Sequence, residues 1–314
     1  MATKKLLDVL IIGGGPAGLS TALGLARQLH SAVIFDSGVY RNDLASHMHN
    51  VVTWDDRAPA DFRAAGRKEL LERYRTIQVE NVRVDEVRKD TNGYFEAKDA
   101  SGQIWWGRKL VLAVGVRDIS PDIHGYADCW GKGIFHCLFC HGYEDRGCAS
   151  IGVLAVGDCA SLRPAMHLAR MARRLAEKVT VYTDGAVELS ESLAGPLKSA
   201  GFQLETRHIA KLINGSKEPE MVIELEDGTT ITEGFLVHKP KTEVNGPFAQ
   251  QLNLELTQEG DIRVNAPFYE TTSVPGVFAV GDCGSFGKAV AQANATGLWC
   301  ASGLVAQLQA EPSL

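Results

Sequence analysis

The stretch "VLIIGGGPAGLS", residues 9–20, constrains the fold more than any other part of the chain. Residues 9–12 read as a buried parallel strand, and a helix with apolar residues at helical spacing follows over 16–29. Between them Gly13, Gly15 and Gly18 fit G-x-G-x-x-G. Glycine at these places permits a tight turn and the close approach of a pyrophosphate to the helix N-terminus, whose N–H groups and dipole favour anions. A second strand, "AVIFD", ends in Asp36, eighteen residues after Gly18. An acid there accepts hydrogen bonds from adenosine ribose hydroxyls. Strand, turn, helix, strand and acid, in that order, predict a dinucleotide-binding domain.

The plan then repeats. Residues 79–115 read as a small antiparallel meander with turns at Asn92–Gly93 and Ser101–Gly102, after which "KLVLAVG" returns to the sheet. From residue 150 the strand "SIGVLAVG", a helix opening near Pro164, the strand "KVTVYTD" and a hairpin turning at Asp227–Gly228 follow the same layout. Near the end "GVFAVGDC" is another strand running into an acid, followed by a small-residue helix over 288–307 that rejoins the first domain. The expected fold is α/β, with two Rossmann-like, three-layer ββα nucleotide-binding domains. The first is discontinuous, 1–116 with 242–314, and the second spans 117–241.

At 314 residues the chain is long enough for two such cores. A net charge of −6, with no Lys/Arg run, gives no footprint for nucleic acid. The N-terminal apolar run, 6–12, contains Asp8 and leads straight into glycines. It is too short for a membrane span, and no signal-peptide cleavage site is visible, so the expected location is cytoplasmic. Seven cysteines, an odd number in a large cytosolic chain, argue against a disulfide framework and shift weight toward catalytic thiols.

Two of the seven stand in "FHCLFCHGYED", where Cys137 and Cys140 are separated by two residues and bracketed by His136 and His141. Zinc half-site, structural staple and redox dithiol are the three readings. Zinc needs about four ligands, usually as two separated pairs. The remaining cysteines form no second CxxC, and the two histidines lie too close in sequence to be the natural second pair, so no metal is expected.

These features together resemble the low-molecular-weight thioredoxin reductase family of FAD enzymes over nearly the whole chain. "GGGPAG", the "LAVG" strand, a CxxC opening the second domain and "PGVFAVGD" are that family's signatures in order. The stretches "FDSGVYRN", "HMHN" and "HCLFCHGYE" are closer still to a branch acting on small dithiols, the gliotoxin and holomycin dithiol oxidases. The resemblance implies an FAD held by Gly13, Gly14, Gly15, Pro16, Gly18 and Asp36, by Ala113 and Gly115 of "LAVG", and by Arg41, His49 and Asn50. It further implies that Asp282 binds the ribityl chain, that the backbone at Ala289 and Val290 faces the isoalloxazine ring, and that the enzyme is a homodimer. It places Cys140 against the flavin and leaves Cys137 open to substrate.

A reductase of that family needs a second dinucleotide site for NADPH. Here the matching loop is "LAVGDCA", with Ala155 where the first glycine belongs and Gly157 and Ala160 retained. Alanine there clashes if the turn needs positive φ, and it crowds a pyrophosphate. The arginine-rich segment that holds a 2′-phosphate in the reductases is replaced by Thr183, Asp184 and Gly185. An aspartate repels a phosphate, although Asp184 could read a ribose. A redox CxxC beside a flavin is then the reading that uses every feature. The expected reaction is oxidation of a small-molecule dithiol to its intramolecular disulfide, with O2 as acceptor and H2O2 as product. An NAD(P)H- or ferredoxin-dependent disulfide reductase is the alternative. His141 stands where the reductases carry aspartate and is the expected base. His136 either assists or lines the pocket.

Overall fold

The computed structural model describes residues 6–311. The chain divides into two compact units. One runs up to Arg117 and resumes at Thr242, and the other is Asp118–Lys241. Arg117, expected in the second domain, falls in the first.

In the first unit four parallel strands lie side by side: Ile104–Leu112, Leu6–Ile12, Ala32–Phe35 and Ile77–Glu80. Val277–Ala279 adds to Ile104–Leu112 in parallel. Both faces of this sheet are covered, so its strands read as nearly continuous apolar runs. Val9 and Ile11 face the helices Pro16–Arg27 and Val290–Ala310, whereas Leu10 and Ile12 pack with Phe95, Ala97 and Val277 on the opposite side. That alternation builds the three layers. The two helices approach closely because Gly297 has no side chain: a Cβ there would run into the Ala17 carbonyl oxygen.

Four local expectations are corrected. Ile77–Glu80 is a parallel strand of the main sheet rather than the start of the meander. Ile104–Leu112 is one strand that pairs antiparallel with Phe95–Asp99 at its start and parallel with Leu6–Ile12 along its length. The first helix stops at Arg27, two residues early, because Leu29 turns left-handed (φ 61°). There His30 N–H donates to Leu25 O and Leu29 N–H to Ala26 O, the paired bonds of a Schellman stop. The last helix is Val290–Ala310, two residues later at its start and three longer at its end than expected.

The second unit repeats the scheme. Gln203–Glu205, Ala176–Tyr182, Cys148–Leu154, Leu236–Val237 and Ile134–Phe135 form a parallel sheet in that order. The helices Leu162–Ala172 and Val187–Ser199 contribute to the core on one side of it. The antiparallel sheet Ile209–Asn214, Met221–Leu225, Thr230–Glu233 supplies the core that also holds Tyr126, Leu154 and Tyr182.

Candidate functional site: a cofactor cradle and a disulfide turn

The cradle in the first unit is built by what its glycines leave empty. Gly13 has φ 118°, and a Cβ on it would strike the Ala113 carbonyl. A Cβ on Gly18 would strike the Gly13 carbonyl, and one on Gly14 the Asp36 carboxylate. These three glycines therefore serve packing of the turn itself. Gly15 differs: nothing lies within 4 Å of where its Cβ would be, so that side of the turn is open. Gly15 is the N-cap and Pro16 follows at the first helical position, with no side chain capping the helix. An open, uncapped helix N-terminus after a glycine turn fits the pyrophosphate of FAD.

Asp36 follows the strand Ala32–Phe35 and is buried. Its Oδ1 accepts from Gly38 N–H at 3.0 Å and its Oδ2 from the Tyr40 hydroxyl at 2.6 Å, with Arg67 Nη1 at 3.6 Å. Burial first, and then the Asp36 carboxylate, push the Tyr40 phenol up to about 12, so it stays protonated and donates. Each carboxylate oxygen keeps a further lone pair for a ribose hydroxyl. Asp36 stands directly after the second strand; Tyr40, which orients it, was not foreseen.

Asp282 lies in the single 3₁₀ turn Gly281–Cys283, after the strand Val277–Ala279. Arg41 Nη1 reaches its Oδ2 at 3.0 Å, joining two expected cofactor residues 241 positions apart. The turn is clamped from both sides. Gly281 N–H donates to Thr296 Oγ1 at 2.9 Å, and Lys288 Nζ donates to Asp261 Oδ1 at 2.7 Å and to the Asp282 carbonyl at 3.0 Å. Ala289 is the extended N-cap of the last helix and Val290 its first residue. Lys288 was absent from the expected set, and nothing short-range points to it.

His49 and Asn50 sit on a loop held by Asp55, whose carboxylate accepts from Asn50 N–H at 2.8 Å and meets His49 Nδ1 at 3.3 Å. Those bonds, the Asn50 N–H first, hold the Asp55 carboxyl below its ordinary range. Asn50 takes φ 63°, a left-handed conformation that asparagine tolerates. Ala113 N–H donates to Ile12 O at 2.8 Å, and Gly115 turns with φ 66° as Asn245 N–H donates to its carbonyl.

In the second unit Cys137 and Cys140 are joined as a disulfide with Cα atoms 5.2 Å apart. Cys140 and His141 N–H both donate to the Cys137 carbonyl, at 3.1 and 3.0 Å, so the four residues close one tight turn. Each flanking imidazole lies against an aromatic plate. The His141 ring stacks on Phe135 at 4.7 Å between centroids and 5° between planes, and the His136 ring on Trp130 at 5.7 Å and 28°. Both cysteines and both histidines are half-buried, whereas Phe139, between the sulfurs in sequence, is 73% exposed. The other thiols are unsuited to chemistry. Burial pushes Cys283 up to about 12 and Cys300 well above the usual thiol range, and it raises Cys129, Cys148 and Cys159 too.

The second unit's nucleotide-like loop departs from the first in length as well as in composition. Three residues, 13–15, separate strand from helix in the first unit, against seven, 155–161, in the second. Ala155 is buried beneath the loop, a single 3₁₀ turn spans Gly157–Cys159, and the helix begins only at Leu162. Asp184, considered as a ribose reader, is engaged within the protein. Its Oδ1 accepts from Ile209 N–H at 2.8 Å and meets His208 Nδ1 at 2.9 Å.

The sequence profile of the pyridine nucleotide-disulphide oxidoreductase family matches residues 7–297. The chain belongs to this family. It is an FAD-binding oxidoreductase with the thioredoxin reductase-like fold. Among curated relatives it is 48% identical to the thioredoxin reductase aclD of Aspergillus oryzae, over 96% of both chains. It is 44% identical to the thioredoxin reductase sirT of Leptosphaeria maculans, over 97% of this chain and 95% of that one. Among solved structures, HlmI superposes with a TM-score of 0.85 at 28% identity, covering 96% of this chain and 92% of HlmI.

Proposed function

We propose that this enzyme oxidises a small-molecule dithiol to its intramolecular disulfide, with O2 as the final acceptor. The observation that carries the reading is the contrast between its two nucleotide loops. The first starts its helix directly after the open Gly15; the second has lost its first glycine and starts its helix only after seven residues. A chain that keeps FAD chemistry and a bonded Cys137–Cys140 pair, and whose second loop has departed from the first in this way, is arranged to take electrons from thiols.

A substrate thiolate attacks Cys137. The new S–S bond forms as the Cys137–Cys140 bond breaks, and Cys140 leaves as a thiolate. The second substrate thiol, deprotonated, attacks the sulfur of the mixed disulfide, closes the substrate disulfide and releases Cys137. His141, held flat against Phe135 directly after Cys140, takes a thiol proton and, once charged, steadies the neighbouring thiolate. Bound FAD supplies the two-electron acceptor that returns the pair to a disulfide, with O2 as terminal oxidant. The balance is one dithiol and one O2 giving one cyclic disulfide and one H2O2.

The names of the relatives favour a second reading, a disulfide reductase fed by NADPH. Anaerobic mixing decides between them. Bleaching of the yellow flavin absorbance by a dithiol such as dithiothreitol, and not by NADPH, supports the oxidase; rapid bleaching by NADPH establishes the reductase.

A further inference from the structure

A column of rings runs through the second unit from the disulfide turn to the nucleotide-like loop. His136 stacks on Trp130, and Trp130 stacks on Tyr126 at 5.7 Å and 22°. The Tyr126 hydroxyl meets His238 Nδ1 at 2.7 Å, with the two rings edge to face. His238 Nε2 in turn lies 3.3 Å from the Val156 carbonyl. A carbonyl can only accept, so Nε2 carries the proton, Nδ1 is the acceptor, and the Tyr126 hydroxyl donates to it. Tyr126 and His238 are buried at 1% and 2% exposure, so each link is fixed. Asp118 and Cys159 face the Tyr126 phenol, and Asp158 faces His238. The backbone around Trp130 is pinned as well: Gly131 N–H donates to Ile134 O, and Lys132 and Gly133 N–H to Cys129 O.

We propose that Trp130 is a positioning residue that fixes the His136 imidazole beside Cys137 as the second proton acceptor of the reaction. The inference rests on the dithiol oxidase reading. A dithiol gives up two protons, and one imidazole holds only one. His141 takes the first; His136, next in sequence to the sulfur under attack, takes the other. Plated on an indole that stacks in turn on Tyr126, the His136 ring is held in one orientation, one residue before Cys137. The Val156 carbonyl then has a use of its own in the lengthened loop: it sets the tautomer at the bottom of the column.

The experiment combines a rate with a spectroscopic signature of the stack. In the oxidised holoenzyme the carbon-bound ring protons of His136 are expected upfield in the NMR spectrum, displaced by the indole ring current and assigned by their loss in His136→Ala. Trp130→Ala should abolish the displacement and slow reduction of the Cys137–Cys140 disulfide by dithiothreitol, followed by thiol tagging, by about 10- to 100-fold. Trp130→Phe, which keeps a plate, should retain a smaller displacement and most of the rate. Tyr126→Phe, which cuts the bond to His238 alone, should weaken the displacement in a chain that still folds. An undisplaced His136 in the wild type, or a Trp130→Ala rate equal to wild type, overturns the proposal. Failure of the wild type to consume O2 with dithiothreitol sinks the oxidase reading instead, and the disulfide reduction rates remain measurable in that case.

Discussion

Acid should destabilise the second unit through His238, and the size of the effect follows from the site. The imidazole is 2% exposed, and burial depresses its pKa from 6.5 to about 4, against smaller opposing effects of the Val156 carbonyl and Asp158. A histidine whose folded pKa lies below its unfolded value is held neutral by folding. Its contribution is fully present above pH 6.5 and is lost as pH falls through about 4. At about 1.4 kcal/mol per tenfold change in proton affinity, the gap amounts to roughly 3 kcal/mol. Protonation also makes Nδ1 a donor, so the Tyr126 hydroxyl loses its acceptor. His238→Gln is the control, because an amide can donate to Val156 and accept from Tyr126 yet does not titrate. Urea unfolding of the wild type and this variant, measured at several pH values between 4 and 7, gives the stability difference directly. Other acid-sensitive carboxylates, Asp8 and Asp99 among them, cancel in that difference. The wild type should lose up to about 3 kcal/mol relative to His238→Gln over this window. Parallel pH profiles for the two proteins would refute the argument.

His141→Ala should cut dithiol turnover by about 10²–10⁴-fold at neutral pH, and by less where thiols ionise unaided; oxygen consumption across pH reads this. Asp282→Ala, which leaves Arg41 without its 3.0 Å partner, should weaken FAD retention, seen as a lower flavin-to-protein ratio after gel filtration. Leu29→Gly should stabilise the chain by about 0.5–1 kcal/mol, since glycine accepts φ 61° without strain at this 81% exposed position; chemical denaturation measures it.

What was legible in the sequence is what local chemistry encodes. The glycines before Pro16 and the acid after the second strand mark a ligand turn because few other residues fit there, and the structure gives Gly13, Gly14 and Gly18 a steric reason while Gly15 faces open space. The CxxC is visible for the same reason: two reactive side chains at a fixed short spacing. The helix Pro59–Arg73 went unread despite proline in its first turn, because only Pro59 and Leu70 of its side chains are buried and no apolar stripe announces it. The early stop at Arg27 was hidden because leucine, not glycine, takes the left-handed position. Tyr40 and Asp55 were missed because loop conformation, which carries no period, brings them onto partners four to six residues away. Lys288 reaches Asp261, 27 residues away, and no period or spacing foretells that bond.

On the proposed oxidase reading, retention of the second domain is explained by work separate from nucleotide binding. The strand Ile134–Phe135 joins the parallel sheet beside Leu236–Val237 and presents Phe135 beneath His141. Phe235, on the neighbouring segment, packs at 5.5 Å from Phe135, and a Cβ on Gly142 would come within 2.9 Å of its ring. The disulfide turn is therefore seated on sheet residues, and the sheet needs its helices to be buried. On that reading the lengthened 155–161 loop costs the chain little. The chain could not discard the strands and helices, because the geometry of Cys137, Cys140 and their histidines is built on them.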